Sequence, residues 1–208
     1  MRLQLAIDRV SVEEALDMIE QTKGSAGIIE VGTSLIKDFG LLGSVKVIKE
    51  KYPDQCILAD IKTCDEGAYE FEKTYEAGGD IPTVMGGSST ATIKACREVA
   101  LRFQKEYMID LLEVSDEKLE VLKTEFADAI FCVHLPSDCG GEGLEELVQH
   151  MCAKLNGIEK IAVAGGVTLD TIDIMKKAGV DIVVVGGAIT KSGDIETVSK
   201  QFAEAIQS

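Results

Sequence analysis

Short apolar runs alternate with amphipathic stretches along the whole chain, at a fairly regular interval. Leu3–Ile7 reads as a strand closing on Asp8. Ser11 with Glu14 three residues later has the form of a capping box that opens a helix. Gly27–Val31 is the second strand, and Gly32-Thr33 leads into a helix to about Tyr52, where Pro53-Asp54 breaks it. The third strand is Cys56–Ile61, and the helix after Asp65 stops at Ala77-Gly78-Gly79. The fourth strand, Asp80–Met85, contains Pro82, which lacks a ladder donor and is usually confined to edges or bulges. Ser88 or Ser89 opens a helix to about Phe103, and the fifth strand, Glu106–Leu112, carries Asp110 late in it. A helix over Ser115–Glu125 precedes the sixth strand, Ala129–His134. The glycine-rich loop Pro136–Gly143 then leads into a helix to Leu155. The last two strands and their turns are Ile161–Gly166 and Ile182–Gly187, followed by helices over Thr168–Ala178 and Ile195–Ile206.

Eight strands, each followed by a helix and with no Pro/Gly/Ser linker between them, predict one (β/α)8 barrel, a TIM barrel, spanning residues 1–208. The continuous Val/Ile/Leu runs suit parallel strands buried on both faces. An open doubly wound sheet has the same local pattern. The barrel accounts better for the polar residues gathered at the C-terminal strand ends, and at 208 residues its loops must be short.

Composition narrows the partners. Hydrophobic residues make up 46% of the chain, enough for a sizeable core. The net charge of −15, from 21 Lys+Arg against 36 Asp+Glu, argues against nucleic acid or an anionic membrane as partner. No basic-then-apolar leader pattern is present and the apolar runs are too short to span a bilayer, so a cytoplasmic protein is expected. The six cysteines (Cys56, Cys64, Cys96, Cys132, Cys139 and Cys152) show no Cys-x-x-Cys or zinc spacing and are expected as free thiols.

The strand ends carry the candidate chemistry: Asp8, Glu30, Asp60 with Lys62, Asp110, His134, Gly165-Gly166 and Gly186-Gly187. In a barrel these converge on the face where active sites of this fold lie. Each also has a plainer reading. Asp60 and Lys62 project to one face of a strand and form either a structural ion pair or a reactive one. Asp8 and Asp110 could cap turns, His134 could be a satisfied histidine, and the glycines could serve only to turn the chain. Taken together, Glu30 and Asp60 on neighbouring strands suit Mg²⁺, which is held by one or two carboxylates plus waters and substrate oxygens. The glycines after the seventh and eighth strands suit a phosphate cradle. Lys62 would then stabilise an enediolate and His134 would move the proton, which predicts proton abstraction beside the carbonyl of a sugar phosphate.

Asp60-x-Lys62-x-x-Asp65 matches the signature of the orotidine 5′-monophosphate decarboxylase suprafamily, which the chain resembles over nearly its whole length. Within it, the chain is most similar to the 3-hexulose-6-phosphate synthase and 3-keto-L-gulonate-6-phosphate decarboxylase families. The likeness rests on Leu3–Asp8, Ile28–Thr33, Leu58–Lys62, Val163–Gly166 and Val185–Thr190. The resemblance implies a homodimer of barrels with shared active sites and Mg²⁺ at Glu30 and Asp60. It implies that Asp8 contacts substrate hydroxyls, Asp65 reaches the partner subunit's site, and Gly166, Gly186 and Gly187 hold phosphate. Asp110, Ser137 and Ala164 stand where the decarboxylase pattern has Glu, Arg and Thr, so the resemblance favours the synthase. The activity expected from it is condensation of formaldehyde with D-ribulose 5-phosphate. The decarboxylase, or a non-catalytic sugar-phosphate-binding barrel, is the alternative. Departures from the family pattern fall in Leu135–Glu142, Pro82 and Gly86–Ser89.

Overall fold

The computed structural model describes residues 1–208. Eight strands form its centre: β1 (Arg2–Ile7), β2 (Ile28–Val31), β3 (Cys56–Thr63), β4 (Ile81–Met85), β5 (Met108–Asp110), β6 (Ile130–His134), β7 (Ile161–Ala164) and β8 (Ile182–Val185). They pair in parallel in chain order, and β8 pairs with β1, so the sheet closes. Closure leaves no sheet edge unpaired and rules out the open doubly wound alternative. The helices are α1 (Val12–Gln21), α2 (Thr33–Gly43), α3 (Val45–Lys51), α4 (Gly67–Glu76), α5 (Thr90–Phe103), α6 (Asp116–Glu125), α7 (Leu144–Lys154), α8 (Ile172–Lys177), α9 (Gly187–Thr190) and α10 (Ile195–Gln207). None is long and apolar enough to cross a membrane.

The period-two alternation of the strands sorts their apolar residues into two cores. Leu3, Leu5 and Ile7 point outward into a cluster of 47 buried residues between barrel and helices. Ile28, Leu58, Ile81, Met108, Ile130 and Ile182 point inward and belong to a separate cluster of 10 that fills the barrel. One pleat above them, the same inward register carries Glu30, Asp60, Thr83 and Asp110, and His134 stands one pleat higher still on β6. The barrel is therefore apolar at its base and ionic at its C-terminal mouth.

Several elements depart from the expected boundaries for local reasons. The helix expected to reach Tyr52 is interrupted after Gly40, whose φ of 68° lies in the left-handed region, and the Ser44 hydroxyl donates to the Gly40 carbonyl at 2.7 Å. β5 is shorter than Glu106–Leu112 because Leu112 turns back, its N–H donating to Asp110 Oδ1 at 2.9 Å. The helix expected from Thr168 is split into a 3₁₀ turn over Leu169–Thr171 and α8, and α9 adds a turn directly after β8. Of the two serines that could open α5, Ser89 is the cap, accepting from the Thr92 N–H at 3.0 Å. Pro82 lies inside β4 of the closed barrel. It sits opposite Ala59, where the β3–β4 register becomes irregular, so its missing donor coincides with an interrupted ladder. All six cysteines are free.

The base of the barrel is tied by Asp80 and Asp181, each just before a strand. Asp80 Oδ2 accepts from the Ile57 N–H at 2.9 Å, and Asp181 Oδ2 accepts from the Ile161 N–H at 2.9 Å. Asp80 also pairs with Lys49 at 2.9 Å and Lys105 at 2.7 Å. Burial pushes the Asp80 carboxyl upward, but Lys105, the Ile57 N–H and Lys49 together hold it below the ordinary carboxylate value. Its contribution to stability is therefore complete above about pH 4, the ordinary aspartate value. It is lost as pH falls through the lower folded value. Asp80→Asn is expected to cost about 1–3 kcal/mol in urea unfolding at pH 7, with the gap to wild type shrinking as pH falls below the ordinary aspartate value. A gap independent of pH would rule this account out.

Candidate active site

Lys62 stands at the centre of the mouth. Its Nζ lies 2.8 Å from Asp60 Oδ2 on its own strand and 3.2 Å from Asp110 Oδ2 on β5. His134 Nδ1 lies 2.8 Å from the same Asp110 oxygen. One carboxylate on β5 thus bridges the lysine and the histidine. A carboxylate facing Nδ1 favours the tautomer with the proton on Nδ1, which leaves Nε2 free as a base. Burial alone would push the Lys62 ammonium down and the Asp110 carboxyl up. Asp60 and Asp110 overcome this for Lys62, which is held charged and shifted upward. The His134 hydrogen bond and charge, with Lys62, overcome it for Asp110, which is shifted downward. The sequence leaves the Asp60–Lys62 pair open between structural and reactive. Geometry adds Asp110 and His134 to it, so it is a four-residue network rather than an isolated pair.

Lys62 adopts a left-handed backbone, φ 47°, at a bulge where β3 advances from Ala59 to Thr63 while β4 advances only from Pro82 to Val84. For a non-glycine residue this conformation costs about 1–2 kcal/mol, and such residues concentrate at functional sites. Asp60 is held on three sides. The Thr33 hydroxyl lies 2.7 Å from its Oδ2, the Thr83 hydroxyl donates to its Oδ1 at 2.9 Å, and Lys62 supplies the ammonium.

Glu30 is level with Leu58 in the β2–β3 register, so Asp60 lies one pleat higher on the same inner wall. Its side chain is buried, and Gln4 Nε2 donates to its Oε2 at 2.6 Å. Burial, then the neighbouring Asp60 carboxylate, pushes the Glu30 carboxyl up to about 8. A buried carboxylate next to another, satisfied by a single amide, is the environment that a hard cation relieves. No three His, Cys, Asp or Glu side chains form a closed metal cage. An oxygen pair that leaves the remaining positions to water and substrate fits Mg²⁺ and not a structural zinc site.

Asp8 follows β1 and accepts from the Ser34 hydroxyl at 2.8 Å and the Ser34 N–H at 3.2 Å, at the start of α2. A Cβ on Gly32 would overlap the Asp8 carboxylate, so a side chain there would displace it from Ser34. After β7, Gly165 and Gly166 have φ of 90° and 73°. None of the loop hydrogen bonds uses their N–H groups. A Cβ on Gly165 would meet the Leu135 carbonyl, and one on Gly166 would meet Gly141 Cα at 2.6 Å. The divergent loop Pro136–Gly143 therefore packs directly on the glycine turn. After β8, Gly186 is the N-cap of α9 and Gly187 its first residue.

The mouth cavity brings together Glu30, Asp60, Lys62, Asp110 and His134. It does not include Asp65, which is exposed beyond the end of β3. Asp8 and the glycines lie at strand ends outside the cavity wall. Two hydrogen-bonding wall residues lie outside the set the sequence singles out, Gln4 and Thr83. Both are polar side chains at inward positions of buried strands, 1% and 3% exposed, which is the signal that singles them out. Cys132 lines the floor, its thiol pushed well up by burial and by Asp110.

Comparison with known proteins identifies the family and the fold. Residues 1–202 match the orotidine 5'-phosphate decarboxylase / HUMPS family. The chain is 37% identical to a 3-hexulose-6-phosphate synthase of Bacillus subtilis (strain 168), covering 100% of both chains. It is 32% identical to one from Mycobacterium gastri, covering 99% of this chain and 100% of that one. A crystal structure of 3-hexulose-6-phosphate synthase from Salmonella typhimurium superposes with a TM-score of 0.93 at 32% identity, covering 100% of this chain and 99% of the other. The chain belongs to the orotidine 5'-phosphate decarboxylase / HUMPS family.

Proposed function

We propose that this protein is a Mg²⁺-dependent aldehyde-lyase of the 3-hexulose-6-phosphate synthase type, condensing formaldehyde with D-ribulose 5-phosphate to give D-arabino-hex-3-ulose 6-phosphate through an enediolate. The observation that carries the proposal is the shared Asp110 oxygen, which puts a charged Lys62 and a histidine with a free Nε2 beside one another at the barrel mouth. The relatives named as 3-hexulose-6-phosphate synthases support the substrate pair.

His134 Nε2 takes a proton from C1 of ribulose 5-phosphate, and the electron pair left behind delocalises onto the C2 oxygen as an enediolate. The Lys62 ammonium lies against that developing charge, in a site where burial strengthens the attraction. C1 then attacks the carbonyl carbon of formaldehyde, and the new alkoxide takes back the proton from His134. Asp110 orients the imidazole and balances the imidazolium in between. When bound at Glu30 and Asp60, Mg²⁺ supplies Lewis-acid polarisation of substrate oxygens. Gly166, Gly186 and Gly187 offer backbone N–H groups to the phosphate, and Asp8 binds substrate hydroxyls. Ala164 pairs with His134 across β6 and β7, and its small side chain leaves room for formaldehyde.

We also read the protein as a cytoplasmic homodimer with shared sites. The exposed Asp65 would reach its partner's mouth. Phe39 and Leu42 of α2 and Tyr69 of α4, 44%, 71% and 62% exposed, supply apolar surface on the helices following β2 and β3. Six free thiols suit a reducing compartment.

Formaldehyde-dependent loss of ribulose 5-phosphate is expected with Mg²⁺ and not after EDTA. Absence of Mg²⁺-dependent turnover, or faster release of CO2 from 3-keto-L-gulonate 6-phosphate, would sink the assignment. Because protons compete with the cation for Glu30, held up to about 8, Mg²⁺ should raise Tm more at pH 8 than at pH 6. An equal shift at both would exclude Glu30 as a ligand. Mixing inactive Asp65→Ala and Lys62→Ala proteins should restore partial activity by subunit exchange. No recovery, with exchange verified, would remove Asp65 from the partner's site.

A further inference from the structure

We propose that Thr83 is a positioning residue that holds Lys62 in its left-handed backbone conformation and so sets where the ammonium stands. The inference rests on the reading of Lys62 as the group that stabilises the enediolate. Thr83 is the residue of β4 that faces the bulge of β3, between Pro82, opposite Ala59, and Val84, opposite Thr63. Within that span β3 has Asp60, Ile61 and Lys62, so ladder pairing alone leaves the backbone of Lys62 without a regular partner. The Thr83 hydroxyl fills this role, accepting from the Lys62 N–H at 2.9 Å.

The direction of the second bond is fixed by chemistry. An ionised carboxylate only accepts, so the single hydroxyl proton of Thr83 goes to Asp60 Oδ1, at 2.9 Å, and an oxygen lone pair remains for the Lys62 N–H. The other oxygen of Asp60 receives Lys62 Nζ at 2.8 Å. A closed circuit results: the lysine backbone binds Thr83, Thr83 binds Asp60, and Asp60 binds the lysine ammonium. Both ends of Lys62 are referred to one carboxylate, and the left-handed φ of 47° persists because leaving it would break the circuit. Thr83 is 3% exposed, so its hydroxyl is largely shielded from bulk water. Valine there would keep the shape of threonine and leave the Lys62 N–H and one Asp60 oxygen without this partner.

The test compares Thr83→Val and Thr83→Ser with wild type. Thr83→Val is expected to lower kcat by about 10–100-fold at saturating Mg²⁺ while KM for ribulose 5-phosphate stays within about threefold, and Thr83→Ser to recover most of the loss. Deuterium entry at C1 of ribulose 5-phosphate in D2O, without formaldehyde, should fall in parallel with kcat. Amide hydrogen exchange gives an independent readout, since the Lys62 N–H should exchange faster in Thr83→Val and at the wild-type rate in Thr83→Ser. Unchanged exchange in Thr83→Val would overturn the proposal. So would recovery of kcat by Mg²⁺ alone, which would mean that Thr83 acts only through Asp60. If wild type itself fails to turn over, the enediolate reading falls, and the exchange measurement still decides whether Thr83 holds the Lys62 backbone.

Discussion

An ammonium group held between two carboxylates, one from β3 and one from β5, is the constraint on which the mouth of this barrel depends. Without Lys62, Asp60 and Asp110 would face a largely buried cavity as like charges. Without them, burial would favour the neutral amine. The arrangement requires two strands that are not neighbours to present side chains at one height. A closed barrel meets that requirement because its inward residues converge on a common axis. His134 joins through the oxygen of Asp110 that also faces Lys62, so the position of the imidazole and that of the ammonium are set together.

The cost of this ionic layer is carried elsewhere in the fold. Below it, the inner apolar cluster fills the barrel, and outside it the larger cluster of 47 buried residues joins strands to helices. At the opposite end, Asp80 and Asp181 satisfy strand-start N–H groups, and Asp80 does so with two lysines beside it. Charge at the base is partly solvated and paired, and adds stability. Charge at the mouth is buried, and leaves Glu30 with a carboxyl raised to about 8. Function and stability are thus separated along the barrel axis, with strand alternation deciding which residues serve each.

The loop Pro136–Gly143, one of the departures from the family pattern, is packed against the tight turn at Gly165-Gly166. Gly141 and Gly166 approach so closely that neither tolerates a side chain without movement. The loop is therefore coupled sterically to the proposed phosphate cradle even though its own residues lie outside the central network. Changes in that loop can therefore move the glycine turn while the Lys62, Asp110 and His134 geometry stays as it is.

Much of this was legible in the residues themselves. The eight-fold alternation predicts the barrel, because buried parallel strands and amphipathic helices have distinct periods. Asp60-x-Lys62 at the end of an apolar run, with Glu30, Asp110 and His134 at other strand ends, marks the candidate site. What local pattern does not contain is register. That Asp110 bridges Lys62 and His134, that Glu30 sits one pleat below Asp60, and that Asp65 lies outside the cavity all follow from how strands are staggered on closure. The break at Gly40, the 3₁₀ turn ahead of α8 and the short β5 come from local backbone and hydrogen-bond geometry that the apolar pattern does not show. Gln4 and Thr83 look in sequence like minor interruptions of apolar strands. Only the inward register, and the bulge at Lys62, make them partners of Glu30, Asp60 and the Lys62 backbone, because a side chain's role in a barrel depends on the face and height that closure assigns it.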